Sequence, residues 1–390
     1  MSEWKKVKMG EIAESCLGKM LDAAKNRGEY KPYLANLNVR WGSFDTDNLS
    51  LMKFEEDEDE RYGIKYGDLI ICEGGEPGRC AIWKEQVPDM KIQKALHRVR
   101  PKNGLVDNFY LFYWFLLAGK RNWIDQYCTG ATIKHLPGQK LKEVVVDLPT
   151  KEVQHRIATI LSRYDSLIEN YQKQIKLLEE AAQRLYKEWF VDLRFPGHEN
   201  TKIVDGVPEG WEKKRLVDLV DVQYGYAFDG KLFNSNGEGM PILRIRNIPD
   251  GITSDYTTEE AQDCYIVHNG DIVVGMDGIF HINSWSGGDA YLVQRACSFR
   301  TKVEEMKGFI FQAIQEPIKF FEKTLVGATV AHLGKKHIDS IELCVPKSME
   351  LYDPFSKQYE QRQNLLSQIR FLTEARDRLL PKLMSGEIEV

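Results

Sequence analysis

The amino-acid sequence predicts an α+β protein made of two copies of one mixed α/β domain. Two long helices would join the copies as an antiparallel coiled coil, with pseudo-two-fold symmetry. Three observations predict this fold: an internal repeat, buried-strand patterns in both copies, and an apolar heptad pattern that follows each copy. The repeat runs from Trp4 and again from Trp211, and its last echoes lie at Gln174 and Gln368, so the offset drifts from 207 to 194. Solenoid units have roughly 20–50 residues, and a period near 200 therefore indicates a duplicated domain.

Strand patterns define a globular part in each copy, residues 1–150 and residues 197–347. Residues 69–72 and 272–274 are short apolar runs, each preceded by a Gly-Asp turn, as expected of buried strands. Glycine-rich loops follow both runs, and we interpret them as tight turns because they lack the Lys-Ser/Thr of a phosphate-binding loop. Apolar helices are predicted at residues 109–117 and 309–321, where they would close each globular part.

Polar residues recur in the two copies in the same order. Gln93-Lys94-Ala95 is echoed by Gln294-Arg295-Ala296. The segment 130–136, which contains His135, is echoed by the segment 327–333, which contains His332. This recurrence predicts that the two histidines occupy equivalent places in the two copies.

The last part of each copy predicts a long helix, in residues 151–196 and residues 348–390. Thr150 and the Asp353-Pro354 pair are suitable N-terminal caps. Apolar residues then alternate at steps of four and three, which is the heptad pattern of a coiled coil, and Arg376 is the exception in the second helix. We expect the two seams to pair antiparallel within one chain; homodimerisation through the same seams is the alternative. The seam residues are Ile157, Leu161, Tyr164, Ile168, Tyr171, Ile175, Leu178, Leu185 and Trp189 in the central helix and Leu365, Ile369, Leu372, Leu379 and Leu383 in the C-terminal helix.

Composition limits the class of protein without deciding its partner. The chain has 390 residues, a net charge of −5 and seven scattered cysteines without a Cys-x-x-Cys pair, which argues against a disulfide framework or a zinc site. No run approaches the roughly 18 apolar residues of a membrane span, and we expect a cytoplasmic protein. Residues 1–150 hold 23 Lys and Arg against 22 Asp and Glu, whereas residues 199–347 hold 16 against 22, so the second copy is the acidic one.

Common catalytic signatures are missing from the sequence. There is no nucleotide-binding P-loop, no His-Glu-x-x-His, no Gly-x-Ser-x-Gly and no Asn-Pro-Pro-aromatic methyltransferase motif. His135 and His332 lack a paired nucleophile or carboxylate in the sequence, which favours a structural or ligand-contacting role over a catalytic one. We therefore predict a non-catalytic protein without a metal or cofactor of its own.

With these features the chain resembles the specificity subunits of type I restriction–modification systems, the HsdS family. The similar stretches are LLEEAAQRLYKEWF at residues 177–190, GVPEGW at residues 206–211 and LLPKLMSGEI at residues 379–388. The resemblance implies two target-recognition domains, at residues 1–150 and 197–347, that each read one half of a split, asymmetric site in double-stranded DNA. It also implies two methyltransferase subunits that bring S-adenosylmethionine, and motor–nuclease subunits that bring ATP and Mg, with the two conserved helices as the scaffold.

Candidate DNA contacts follow from side-chain chemistry and recurrence. Arginine can make two hydrogen bonds to guanine, and Asn or Gln can make two to adenine, while Lys and His make single contacts. Arg244 and Arg246 alternate, which predicts that both lie on one face of a strand. The candidates are Arg40, Trp41, Lys94, Arg98, Lys134 and His135 in the first copy and Arg244, Arg246, Asn247, Arg295, His332 and Lys335 in the second.

Two other functions remain open on the sequence. The first is a stand-alone dimeric DNA-binding regulator, which would need similar reading surfaces on both copies. The second is a cryptic nuclease or hydrolase built on the repeated histidine.

Overall fold

The computed structural model describes residues 4–22, 24, 26–102, 104–130, 132–325 and 331–390. The chain forms two compact units. The first unit consists of Met1–Ser166 together with Thr373–Val390, and the second is Leu167–Leu372. The first unit is thus built from both ends of the chain.

Mostly antiparallel strands pack around the helix Asn108–Lys120 in the first unit. Its main sheet has the order Ala13–Leu17, Leu96–Pro101, Leu69–Cys72, Cys80–Ile82. The helix Asn108–Lys120 packs in the core, and the Asp107 side chain caps it by accepting hydrogen bonds from the amides of Phe109 and Tyr110. The other strands pair as Lys5–Lys8 with Val145–Leu148, as Val39–Arg40 with Ser43–Phe44, and as Ser50–Phe54, Glu29–Leu34 and Lys91–Ile92; short helices span Met9–Ile12, Asp59–Tyr62 and Gly138–Glu143.

The second unit repeats this architecture. Its main sheet has the order Val220–Tyr224, Ala296–Thr301, Ile272–Gly275, Ile282–Ser284, which matches the first unit strand for strand. The other strands pair as Trp211–Arg215 with Glu342–Pro346, as Ile203–Val204 with Val207–Pro208, and as Phe233–Asn234, Tyr256–Thr257, Met240–Leu243, Ala290–Leu292 and Ile266–Val267; helices span Leu216–Leu219, Lys307–Ala313, Gln315–Thr324 and Lys335–Asp339. The predicted duplication of a mixed α/β domain is confirmed.

Two details of the predicted repeat were wrong. The helix expected at residues 309–321 breaks at Ile314, because Pro317 has no amide hydrogen to donate to the carbonyl of Ala313, four residues earlier. The alignment of Gln93 with Gln294 is shifted by one residue. Lys94 N donates to the carbonyl of Lys19 and Gln294 N to the equivalent carbonyl of Tyr226, so Lys94 corresponds to Gln294 and Ala95 to Arg295.

The two predicted long helices span Lys151–Tyr186 and Asp353–Met384. Every predicted seam residue is buried or half-buried. Trp189 lies beyond the α-helix in a π-helical turn, Lys187–Val191. The C-terminal helix continues for three residues past Pro381. In the first unit Ile157, Leu161 and Leu383 join the globular core, so the other helix is only part of what covers the seams.

Within each unit one arginine joins the C-terminal helix to the central helix. In the first unit Arg376 Nη1 lies 2.6 Å from Asp165 Oδ1, and the Tyr113 hydroxyl donates to the other oxygen of Asp165. In the second unit Arg362 Nε lies 2.6 Å from Glu179 Oε1. The two ion pairs are 14 residues apart on each helix, in opposite directions, as antiparallel pairing in one register requires.

Ionisation in the first of these networks follows from its surroundings. Burial works to lower the pKa of Arg376, but the charge of Asp165 and its hydrogen bond, with help from Asp377, raise that pKa on balance. Burial and the charge of Asp165 raise the pKa of Tyr113. The tyrosine therefore stays protonated and serves as a donor, so Asp165 is held by a cation and a hydroxyl together.

Candidate nucleic-acid interface

Both units carry the same hydrogen-bonded turn after a buried strand, at residues 35–38 and 244–247; we call it the Asn turn. In the first unit Ala35 N donates to Asn38 Oδ1 at 2.9 Å, and in the second Arg244 N donates to Asn247 Oδ1 at 2.9 Å. The preceding strand ends at Leu243, and Arg246 lies in the 3-10 helix Ile245–Asn247. The prediction that Arg244 and Arg246 share a strand face was therefore wrong, because the Asn247 side chain closes a turn there.

A glycine-rich loop packs against each Asn turn; we call residues 74–78 and 275–278 the glycine loops. In the first unit Asn36 Nδ2 donates to the carbonyl of Gly74 at 2.9 Å. Gly75 has a φ of +74°, and a Cβ there would lie 2.8 Å from Asn36 Nδ2. In the second unit a Cβ on Gly275 would lie 3.4 Å from the side chain of Ile245. In the first unit glycine at position 75 therefore allows the turn to approach closely, whereas in the second unit the contact at Gly275 is an ordinary van der Waals distance.

The repeated histidines lie beside the glycine loops, in equivalent places. His135 forms an isolated β-bridge with Gly74, and His332 forms one with Asp277. The next residue, Leu136 or Leu333, donates its amide to the carbonyl of Glu73 or Met276 at 2.7 Å. Both histidines are exposed. The echoed residues 327–330 lie outside the described part of the chain.

In the second unit two exposed arginines are each held by a largely buried carboxylate. Arg295 Nη1 lies 2.8 Å from Asp277 Oδ2, and His332 Nδ1 lies 2.5 Å from Asp277 Oδ1. Arg246 contacts Asp255 Oδ2 through Nη2 at 2.6 Å and through Nε at 3.1 Å. The arginine side chains are 68% and 61% exposed, whereas both aspartates are 16% exposed. The structure thus brings Arg246, Arg295 and His332 to the edge of the Asn turn and glycine loop.

The first unit presents a different set of side chains at the same surface. Trp41 Nε1 donates to Glu76 Oε1 at 2.7 Å, and Arg79 Nη1 lies 3.2 Å from Glu76 Oε2. Trp41 and Lys134 line one groove together with the glycine loop. A hydrogen bond to Asp125 and the charge of that carboxylate raise the pKa of Lys134, so this side chain stays positively charged.

The remaining sequence candidates have local partners or lie apart. Arg98 is half-buried and donates to the carbonyls of Glu60 and Gly63, and burial lowers its pKa. Each of the other candidates contacts a neighbouring group, except Lys94, which is exposed. Arg40 donates to the Leu37 carbonyl, Arg244 lies over the Phe233 ring, Asn247 accepts from the Arg244 amide, and Lys335 donates to the Asp339 carboxylate.

Sequence reasoning missed the carboxylates that hold this surface in place. Asp277 lies in a glycine loop that we interpreted as a plain turn, and its equivalent in the first unit is Gly74. An alignment of the two copies shows an aspartate in the second loop where the first loop has glycine, and this difference could have identified Asp277 as a candidate. Asp255 carried no comparable signal, since its pairing with Arg246 depends on the tertiary fold.

The described part of the chain contains neither a candidate metal site nor a helix that could span a membrane. No group of three or more His, Cys, Asp or Glu side chains in that part of the chain is arranged to hold a metal ion. None of its helices is long and apolar enough to cross a membrane.

Known proteins resemble both copies of the repeat. The family model for the type I restriction modification DNA specificity domain matches residues 1–180 and again residues 208–364. The MjaIX specificity subunit of a type I restriction enzyme from Methanocaldococcus jannaschii is 28% identical over 344 residues, covering 83% of this chain and 78% of that protein. The MjaVIII specificity subunit from the same organism is 25% identical over 417 residues, covering 100% of this chain and 93% of that protein.

A solved structure has the same fold. The S subunit of a type I restriction–modification system from M. genitalium aligns with a TM-score of 0.55 at 18% sequence identity, over 97% of this chain and 96% of that one.

Proposed function

The chain belongs to the family of type I restriction–modification DNA specificity proteins, and from that membership we propose how it reads DNA. It is a specificity subunit, as the sequence predicted, and the family assignment places it among non-catalytic subunits. We propose that each unit reads one half of a bipartite, asymmetric DNA site. The reading surface in each unit is the Asn turn with its glycine loop and the neighbouring histidine.

One observation carries this proposal: the two units present one backbone frame with unlike side chains. Where the second unit has Asp277 and Arg295, the first has Gly74 and Ala95. At the apex of the Asn turn the second unit has Arg246 and the first has Leu37, and both are exposed. Base edges in the major groove are distinguished by their donors, acceptors and methyl groups, so unlike side chains on a shared frame suit two different half-sites.

Partners and cofactors follow as parts of the same proposal. Two methyltransferase subunits would bring S-adenosylmethionine, and motor–nuclease subunits would bring ATP and Mg, in a complex that works on cytoplasmic DNA. The central and C-terminal helices would be the scaffold. The acidic second copy supports a shared interface, because a net negative domain gains phosphate affinity when a partner supplies basic groups.

A domain exchange tests the bipartite reading. Residues 1–150 are replaced by the equivalent segment of a relative, the full chain is expressed with its methyltransferase subunit, and modified bases are mapped across the chromosome. We expect one half of the motif to change while the other half and the spacing stay the same. Exchange of residues 197–347 is the reciprocal variant and should change only the other half. A change of both halves in either chimera would contradict independent reading.

The rival functions make different predictions for the same chain. A palindrome-binding regulator needs like reading surfaces, and the contrast of Arg246 with Leu37 disfavours that function. Tight binding to a palindrome by the isolated chain would support it nevertheless. A hydrolase built on the histidines would lose activity in a His135→Ala, His332→Ala double variant with no change in DNA specificity.

A further inference from the structure

The second unit contains two exposed arginines whose orientation is fixed before any ligand binds. Asp255 accepts from Nε and Nη2 of Arg246, and Asp277 accepts from Nη1 of Arg295. Each carboxylate lies mostly below the surface while each guanidinium projects from it. A free arginine side chain loses rotamer entropy when it is ordered. Here part of that ordering has taken place in the free protein.

The hydrogen bonds that hold each arginine leave a recognition edge available. A guanidinium has five N–H donors. Asp255 takes two from Arg246, which leaves three at the Nη1–Nη2 end, and Asp277 takes one from Arg295, which leaves four. Two adjacent N–H groups are what guanine O6 and N7 accept in the major groove.

Fixation by a carboxylate favours a base over a phosphate as the ligand. A phosphate contact depends mainly on charge, and a mobile lysine serves it well. A carboxylate at 2.6–2.8 Å offsets that charge while it fixes the plane of the guanidinium. Orientation is what a bidentate base contact requires, because both donors must lie in the plane of the base pair.

We infer that Arg246 and Arg295 are guanine-reading residues of the second unit, with Asp255 and Asp277 as their positioning residues. The inference rests on the proposed function and narrows it: the half-site read by residues 197–347 contains two G·C pairs, one read by each arginine. The first unit has Leu37 and Ala95 at the equivalent positions, so it cannot recognise guanine through arginines at these two positions.

The test is a map of modified bases in cells that express the full chain with its methyltransferase subunit. Arg295→Lys keeps the positive charge but removes the fork. It should relax one guanine position in the second half of the motif, with about a 5- to 150-fold loss of discrimination there, and leave the other positions unchanged. Arg246→Lys should relax a different guanine in the same way.

The positioning role has its own measurement. Asp277→Ala should relax the same base position as Arg295→Lys, with about a 2- to 12-fold loss because the arginine must then be ordered on binding. A purely structural role for Asp277 would lower modification at every position alike. Arg215→Ala is the matched control, since Arg215 is an exposed arginine paired with Asp218 at 2.9 Å in a different strand pair of the same unit. It should leave the motif unchanged.

The outcomes separate this inference from the proposed function. A wild-type map without a bipartite motif would overturn the proposed function. The second half of the motif is identified by exchange of residues 197–347. If that half lacks a G·C pair, the assignment of Arg246 and Arg295 to guanine is refuted, while the proposed function stands. Uniform weakening at all positions in Arg295→Lys and Arg246→Lys would assign both arginines to phosphate and would also refute the assignment to guanine. If an Arg295 variant fails to fold, Arg246→Lys decides.

Discussion

Replacing Arg376 in the C-terminal helix distinguishes two accounts of the helix pair. Arg376 interrupts an apolar seam, so heptad reasoning alone expects Arg376→Leu to stabilise the protein by about 1 kcal/mol of added apolar burial. The structure predicts the opposite, because the variant leaves Asp165 facing Tyr113 without its cation. Both charged side chains are under a fifth exposed, at 18% and 17%. Removing one partner of a buried pair costs about 3 kcal/mol at the lower end of the usual range.

A double-mutant cycle measures the coupling directly. Asp165→Leu combined with Arg376→Leu removes both charges, and we expect this double variant to lie within about 1–2 kcal/mol of the wild type, the residual cost being the acceptor lost by Tyr113. The free energy of unfolding is measured by urea titration, with the Tm as a second readout. Lys382→Leu is the control, since Lys382 pairs with Glu387 on the surface at 3.5 Å and should change stability by under about 1 kcal/mol. The buried-pair account would be refuted if the changes in the free energy of unfolding of the two single variants added up to that of the double variant. It would also be refuted if Arg376→Leu stabilised the protein.

Two further perturbations address the frame of the reading surface. Burial lowers the pKa of His97 from 6.5, and its Nε2 bonds to the carbonyl of Leu136; the unfolded chain therefore binds the proton more readily, and the free energy of unfolding should fall as the pH drops below about 6.5. His97→Gln should flatten that fall in urea titrations between pH 7 and pH 5, and an unchanged slope would assign it to other groups. Gly75→Ala adds a Cβ 2.8 Å from the Asn36 amide at a φ of +74°, whereas Gly197→Ala adds one at +88° with nothing within 4 Å. Both should cost about 1 kcal/mol of backbone strain, but only Gly75→Ala should also weaken DNA binding in a titration with the specific duplex, and equal effects would contradict the close approach of loop and turn.

Periodic features of this chain were readable from the sequence because their cause is local. The heptad steps in residues 157–189 and 365–383 and the duplicated order of motifs depend on spacing, which is independent of distant contacts. The equivalence of His135 and His332 followed from the same repeat, and the structure confirms it.

Features that depend on one side-chain bond were not readable. The alternation around Arg244 and Arg246 fits a strand and a turn equally well, and the bond from the Arg244 amide to Asn247 decides between them. The partner of Arg376 could not be identified either, because any acid on the central helix was available until the register of the two helices was known. Asp255 and Asp277 belong to the same class, since a carboxylate becomes a positioning group only when the fold puts an arginine beside it.

The first unit is assembled from two segments that lie far apart in the sequence, and this affects how the protein is made. Leu380, Leu383 and Met384 are nearly inaccessible to solvent in the core of that unit. A ribosome that has finished Ser166 must still translate Leu167–Leu372 before these side chains emerge, which takes roughly 10–40 s at about 5–20 residues per second. Until residues 373–390 are made, the first unit therefore lacks part of its core. Early termination within residues 373–390 would leave residues 167–372 of the second unit in place but expose apolar surface in the first unit, more than 200 residues away in the sequence from the segment that is lost.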